Sequence, residues 1–207
     1  MSRSRILASM VVPTPSRQRA PRYSGLRMTA DDYFALDDDG FRYELIDGVV
    51  VMTPSPSPGH QDIRAEIEHQ LRLFVRARGL GLVLSEVDVR FDASLVYRPD
   101  LIFLRKGRYS KPLKRVEVSP DLIVEVASPS TVSLDQTTKL GDYQRFGVAE
   151  YWLVDASRHT IRFLRLVRGA YVEVQPSHGR FESEAVPGFA LDLAAVLGVC
   201  SEYDDDE

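Results

Sequence analysis

The 207-residue chain contains a single cysteine, Cys200, close to its C-terminus. An internal disulfide is therefore excluded, and a zinc site built from cysteines has too few ligands, which fits a cytoplasmic protein. The chain also lacks any run approaching the roughly 20 apolar residues that span a bilayer. Its longest apolar stretches, such as Val49–Met52 and Leu122–Val126, are short. Arg3 and Arg5 precede Ile6–Val12 in the manner of a secretory leader, but that core is only about seven residues long and no A-x-A site follows. Bulk positive charge is missing too: the net charge is −4. Residues 1–27 hold six arginines and no acid, while the last six residues hold five acids. The body between them is mildly acidic and does not attract nucleic acid by its overall field. A nucleic-acid reading must rest on something local.

What is present is 44% hydrophobic residues, enough for one core. Residues 1–27 mix Arg, Ser and Pro without period and are expected to form a disordered basic arm. The domain is expected over 28–199, with 200–207 as an acidic tail. Thr29, followed by Asp31 and Asp32, has the pattern of a helix start. Asp47-Gly48 between Phe41–Ile46 and Val49–Met52 predicts a hairpin with a type I′ turn. Ile63, Ile67, Leu71, Phe74 and Val75 recur at helical spacing, so a helix is expected over 59–78, closed by Gly79. Leu80–Phe91 and Val96–Leu104 read as two strands, with Pro99 near the start of the second or at a bulge. Leu122–Ala127 reads as a buried central strand. Ser133 would cap a helix over 134–146 that stops at Gly147. A strand at Glu150–Val154, a hairpin turning at Arg168-Gly169, a strand or loop near 181–186 and a short helix near 191–197 complete the order. The fold class is α/β (α+β): a mixed sheet flanked by helices.

Glu125 is the most informative residue. A carboxylate inside an apolar strand is costly unless it is paired or bound to a cation. A salt bridge to Arg or Lys is one account; a metal ligand is the other, and it requires a second acid nearby. Asp100, in Arg98-Pro99-Asp100-Leu101, is that candidate. Two carboxylates on neighbouring strands give Mg²⁺ the one or two hard ligands it takes alongside water. Such an ion makes a nucleophile of water at neutral pH.

A Pro-Asp pair on one strand and a Glu on a following strand resemble the PD-(D/E)XK nuclease superfamily. The Lys expected two residues after the Glu is absent, since that position is Ala127. Lys139, from the following helix, offers a substitute. The likeness extends over Phe41–Gly48, Ser57-Pro58-Gly59-His60-Gln61, Pro99-Asp100-Leu101, Val124–Ser130, then Asp135, Lys139, Tyr143 and Gly147–Trp152. In this order the segments resemble the Uma-two family of restriction endonucleases. The resemblance implies a restriction-endonuclease-like fold and a divalent-metal site for Mg²⁺ or Mn²⁺. It implies Asp100, Glu125 and Lys139 as the catalytic triad, with Glu44 as an added acid, metal ligands being Asp100, Glu125 and Glu44.

Each candidate has a plainer account. Glu44 would otherwise be a strand acid paired across the hairpin. His60, at the start of the long helix, is a cap or surface residue unless it contacts phosphate or moves a proton. Asp135 and Lys139 at i,i+4 would form an ordinary ion pair. Tyr143 is expected to pack beside Lys139 as an accessory residue, and Tyr151 and Trp152 in the core. Arg105–Arg115 is either a phosphate-tracking surface or a solvated loop. The expectation is a Mg²⁺-dependent endonuclease acting on nucleic acid, DNA before RNA, with a homodimer if both strands are cut. The rival is a nucleic-acid-binding or accessory protein that keeps the nuclease fold with little or no cleavage.

Overall fold

The computed structural model describes residues 20–110, 113, 115–127, 135–201 and 203. Thr29 caps the short helix α1 (Ala30–Tyr33) through a reciprocal box with Asp32. Strands β1 (Arg42–Ile46) and β2 (Val49–Thr53) form a hairpin. Its turn places Asp47 at φ 49° and Gly48 at φ 73°, the left-handed pair that a type I′ turn requires. Helix α2 (Pro58–Arg78) starts at the Ser57 cap with proline in its first turn and ends at Gly79 in a left-handed conformation.

The segments expected as single strands over 80–91 and 96–104 are each broken in two. β3 (Gly81–Ser85) and β4 (Val89–Arg90) are separated at Glu86, which sits at φ 53°. β5 (Val96–Tyr97) and β6 (Leu101–Arg105) are separated around Pro99, whose missing N–H and fixed φ interrupt a ladder. The four pieces belong to two sheets. β4 and β5 join the hairpin in the order β2-β1-β5-β4, while β3 and β6 join the main sheet. Both chains thus change sheet at the same level, and the Glu86 N–H donates to the Asp100 carbonyl there (3.2 Å).

β7 (Leu122–Ala127) is buried along its whole length. One π-helical turn (Asp135–Lys139) runs into α3 (Leu140–Arg145). β8 (Glu150–Asp155), β9 (Thr160–Val167) and β10 (Ala170–Glu173) follow, then a small ribbon of β11 (Arg180–Glu182) and β12 (Ala190–Asp192), and α4 (Leu193–Ser201). The main sheet runs β10-β9-β8-β7-β6-β3; β7 and β8 are parallel and all its other neighbours antiparallel. The fold is mixed α+β.

The two faces of this sheet carry separate cores. Leu122, Val124 and Val126 pack with Ile63, Ile67, Leu71 and Val75 of α2 and with Trp152. Burying each of these aliphatic side chains contributes roughly 2 kcal/mol. Ile123 and Ala127 face the opposite way, toward Tyr143 of α3 and Tyr151. Glu125 shares the parity of this second face. Gly81 is required where β3 meets β6, since a Cβ there would lie 2.0 Å from the Leu104 carbonyl oxygen.

Residues 20–27 follow the hairpin rather than leaving it. The Gly25 N–H donates to Val50 O (2.7 Å), the Val50 N–H to Leu26 O (2.8 Å), and the Tyr23 ring meets Tyr43 edge-on. At the other end Cys200 is buried in α4, and the Tyr203 hydroxyl donates to Asp62 Oδ2 (3.1 Å). Residues 1–19 and 204–207 lie outside the described residues, as do the proposed cap Ser133 and the motif residues Ser128-Pro129-Ser130. Among the described residues, no helix is long and apolar enough to cross a membrane.

Candidate active site

Four elements meet where the chain changes sheet. The β6–β7 register pairs Leu101 with Val124, so the next position outward sets Asp100 beside Glu125. The Asp100 N–H points at Glu125 Oε2 (3.4 Å), and the Val126 N–H donates to Asp100 Oδ2 (2.7 Å). β1 contributes Glu44, which accepts from the Arg98 N–H at Oε1 (2.9 Å). The π-helical turn contributes Lys139. Its Nζ lies 3.0 Å from Glu125 Oε1 and 3.2 Å from Glu44 Oε1.

All three charged groups are deeply buried: Glu44 is 1% exposed, Glu125 4% and Lys139 6%. One ammonium between two carboxylates leaves this trio with a net charge of −1, before Asp100 is counted. Glu44 thus points inward and pairs with a helix lysine, not with a cross-strand partner; opposite it in the hairpin stands Val51. The ion pair expected between Asp135 and Lys139 lies outside the described residues, because the Asp135 side chain is not described.

The supporting shell fixes these groups. Tyr143, one turn beyond Lys139, donates its hydroxyl to Glu125 Oε1 (2.8 Å). His60 Nε2 lies 3.0 Å from Asp100 Oδ1, while the His60 N–H is taken by the Ser57 cap. The Lys139 ammonium also sits over the Tyr97 ring, 5.4 Å from its centroid. Arg98 was not singled out from the sequence. Its main chain holds Glu44, and its guanidinium grips Asp88 in two bonds of 2.7 and 3.1 Å. Its place directly before Pro99-Asp100 was the available signal. Gln61 is turned toward the rim, donating to Glu86 Oε1 (3.1 Å).

A comparison within the molecule separates this cluster from ordinary buried acids. Glu150 is as buried as Glu44, yet both its oxygens are used. They accept from Trp152 Nε1, the Ser183 hydroxyl, the Glu184 N–H and Arg165. Among the described residues, Glu44 leaves Oε2 buried with no hydrogen-bond partner. A buried carboxylate oxygen without a donor is unfavourable unless a ligand meets it. Among the described residues, no three His, Cys, Asp or Glu side chains converge to form a metal cage on their own. The donor set still suits a hard divalent ion that keeps most of its water, for which two adjacent carboxylates suffice.

The basic stretch is mostly engaged within the chain. The Arg105 N–H and the Arg108 guanidinium bond the Asp121 carboxylate, and Arg115 stacks over Phe34 (4.5 Å). Lys111 and Lys114 lie outside the described residues. Trp152 and Tyr151 are core residues, both fully buried.

Burial holds the Tyr143 phenol well above its ordinary pKa, with the charge on Glu125 adding to the shift. Tyr97 is raised by burial and by its hydrogen bond to Asp142, and Tyr33 and Tyr171 chiefly by burial. In the unfolded chain these phenols ionise near pH 10, whereas in the folded chain they stay protonated. The folded state then binds more protons, so stability is full below about pH 10 and falls as pH rises above it. Each tyrosine contributes up to about 1.4 kcal/mol per pH unit. Urea midpoints should drop steeply between pH 10 and 11, and Tyr143→Phe should flatten that fall. A pH-independent midpoint in this range would contradict the burial argument.

Residues 30–194 match the model of a family described as "Uma2: Putative restriction endonuclease". A solved structure described as a "putative nuclease belonging to DUF820" from Anabaena variabilis ATCC 29413 is similar at a TM-score of 0.71. The identity is 17%, over 84% of this chain and 99% of that one, a likeness of fold. The type IIG restriction endonuclease BpuSI matches at a TM-score of 0.40 and 18% identity, over 72% of this chain and 17% of that chain. No curated protein matches.

Proposed function

The chain belongs to the Uma2 family of restriction-endonuclease-like proteins, and from that premise we propose that it is an endonuclease using Asp100, Glu125, Lys139 and Glu44. The observation that carries the reading is the buried Lys139 ammonium held between Glu125 and Glu44, with Asp100 beside Glu125. The substrate is nucleic acid, DNA in the first instance.

Asp100 and Glu125, with Glu44 beside them, would hold Mg²⁺ or Mn²⁺. The bound ion supplies a polarised phosphoryl oxygen and a water of lowered pKa. Lys139 orients the attacking water and meets the negative charge that develops on the phosphate. Glu125 and Glu44 fix the ammonium, and the Tyr143 hydroxyl fixes Glu125. The His60 ring and the Val126 N–H hold Asp100 from two sides. Water oxygen bonds to phosphorus as the P–O3′ bond breaks. The 3′ oxygen leaves with a proton as a hydroxyl, and the phosphate stays on the 5′ side.

Purified protein is expected to convert supercoiled plasmid to open circles with Mg²⁺ or Mn²⁺ and to stop when EDTA is added. A folded protein that cuts neither DNA nor RNA with any divalent ion overturns the reading. The second reading, a binding protein of the same fold, is favoured by one feature: Glu125 and Glu44 both pair with Lys139, which gives these acids a structural role of their own. Calorimetric titration with Mn²⁺ separates the two, since a protein that only binds nucleic acid gives no heat.

A further inference from the structure

Among the described residues, the outer face of α2 is covered only at its N-terminal end, where Tyr203 meets Asp62. Asp62, Ala65, His69, Leu73 and Arg76 recur at three- and four-residue steps, and all five are exposed. Leu73 is 66% exposed, and no side chain of the described residues covers it. A shallow groove of about 680 Å³ runs along this face between Ala65 and Ala77. An acid, Asp62, lies toward the N-terminal end of this face and a base, Arg76, toward its C-terminal end, while Arg72 is paired with Glu68 of its own helix. Arg76 makes no ion pair with a described residue, and Asp62 meets only the Tyr203 hydroxyl.

We propose that a second copy of this chain docks on this face, its α2 antiparallel to the first about a two-fold axis at His69. The register selects that occupant. Antiparallel helices related by such an axis set residue 69 + k opposite residue 69 − k. Leu73 then fills the space over the partner's Ala65, and Arg76 meets the partner's Asp62. The large residue faces a small one and the base faces an acid, twice over by symmetry. A parallel pairing would oppose like charges along the whole face. One helix pair buries less than a standard interface, so the dimer is in concentration-dependent equilibrium with monomer.

His60 lies on the opposite, buried side of α2, in line with Ile63 and Ile67. Pairing through the outer face therefore leaves both candidate active sites open. This inference does not depend on the nuclease reading, and its test reads mass rather than cleavage.

Sedimentation velocity of the full chain across micromolar concentrations should show a monomer–dimer equilibrium. Leu73→Glu should raise the dissociation constant at least about tenfold. Asp62→Arg and Arg76→Asp should each weaken the dimer, and the double variant should restore it, because exchanging the charges recreates both contacts. Circular dichroism confirms folding, and plasmid nicking per chain by Leu73→Glu should match the parent. A monomer at every concentration, a dimer indifferent to Leu73→Glu, or a double variant no better than the singles overturns the proposal.

Discussion

Lys139→Met is expected to destabilise the fold by about 3–5 kcal/mol and to lower cleavage about 10³-fold. Both effects come from the same geometry. The ammonium is buried with Glu125 and Glu44, 3.0 and 3.2 Å away, and little solvent reaches the three groups to screen them. Without it, among the described residues, Glu44 keeps only the Arg98 N–H and Glu125 keeps chiefly the Tyr143 hydroxyl. Two buried carboxylates then face each other across the space that the cation filled. Met matches the lysine stem in length, so the loss is not one of packing. The double variant Lys139→Met with Glu44→Gln should recover part of the stability, since it removes one of the opposed charges, and none of the activity. Urea denaturation and plasmid nicking measure the two effects separately. If Lys139→Met unfolds at the parent's midpoint and nicks at the parent's rate, the lysine is neither the counter-ion of the cluster nor part of its chemistry.

Much of this arrangement was legible in the sequence where the signal was local. The Asp47-Gly48 pair prefers left-handed conformations, and both residues adopt them. The apolar period of α2 and its Gly79 stop are equally local. Glu125 stood out because a charge in a run such as Leu122–Ala127 has no inexpensive explanation. The breaks in 80–91 and 96–104 were not legible in the same way. A chain that leaves one sheet for another is governed by its partners, and nothing in Ser85–Val89 alone distinguishes a continuous strand from a switch. Pro99 carried half of that information, but Glu86 in a left-handed conformation carried none in advance. Glu44 was undecidable for a related reason. Alternation along β1 assigns Tyr43 and Leu45 to one face and Glu44 to the other, without saying which faces are covered. Only the β1–β5 pairing at Leu45 and Val96 shows that the Glu44 side is closed over by Arg98 and Lys139. The π-helical turn at Asp135–Lys139 likewise has no compositional sign. It matters because it sets Lys139 one turn before Tyr143, with both donors on the same oxygen of Glu125.

Asp100→Asn separates the chemistry of the site from its architecture more cleanly than any change at Lys139. Asp100 is half-buried and holds two contacts, Val126 N–H on Oδ2 and His60 Nε2 at Oδ1. An asparagine can keep both. Its carbonyl oxygen accepts from Val126, and its amide donates to His60 in the tautomer whose Nε2 is unprotonated. The variant should therefore unfold within about 1 kcal/mol of the parent. It loses the negative charge that, with Glu125, makes the pair a hard-oxygen site. Nicking with Mg²⁺ should fall about 10³-fold or more, and the heat of Mn²⁺ binding should fall with it. Glu125→Gln is expected to remove activity equally, but at a further cost in stability, because its oxygen must satisfy both Lys139 and Tyr143. The contrast between the two variants is the informative quantity. Should Asp100→Asn nick at the parent's rate while Glu125→Gln is inactive, the two acids do not act as a pair, and Glu125 is serving only to hold Lys139.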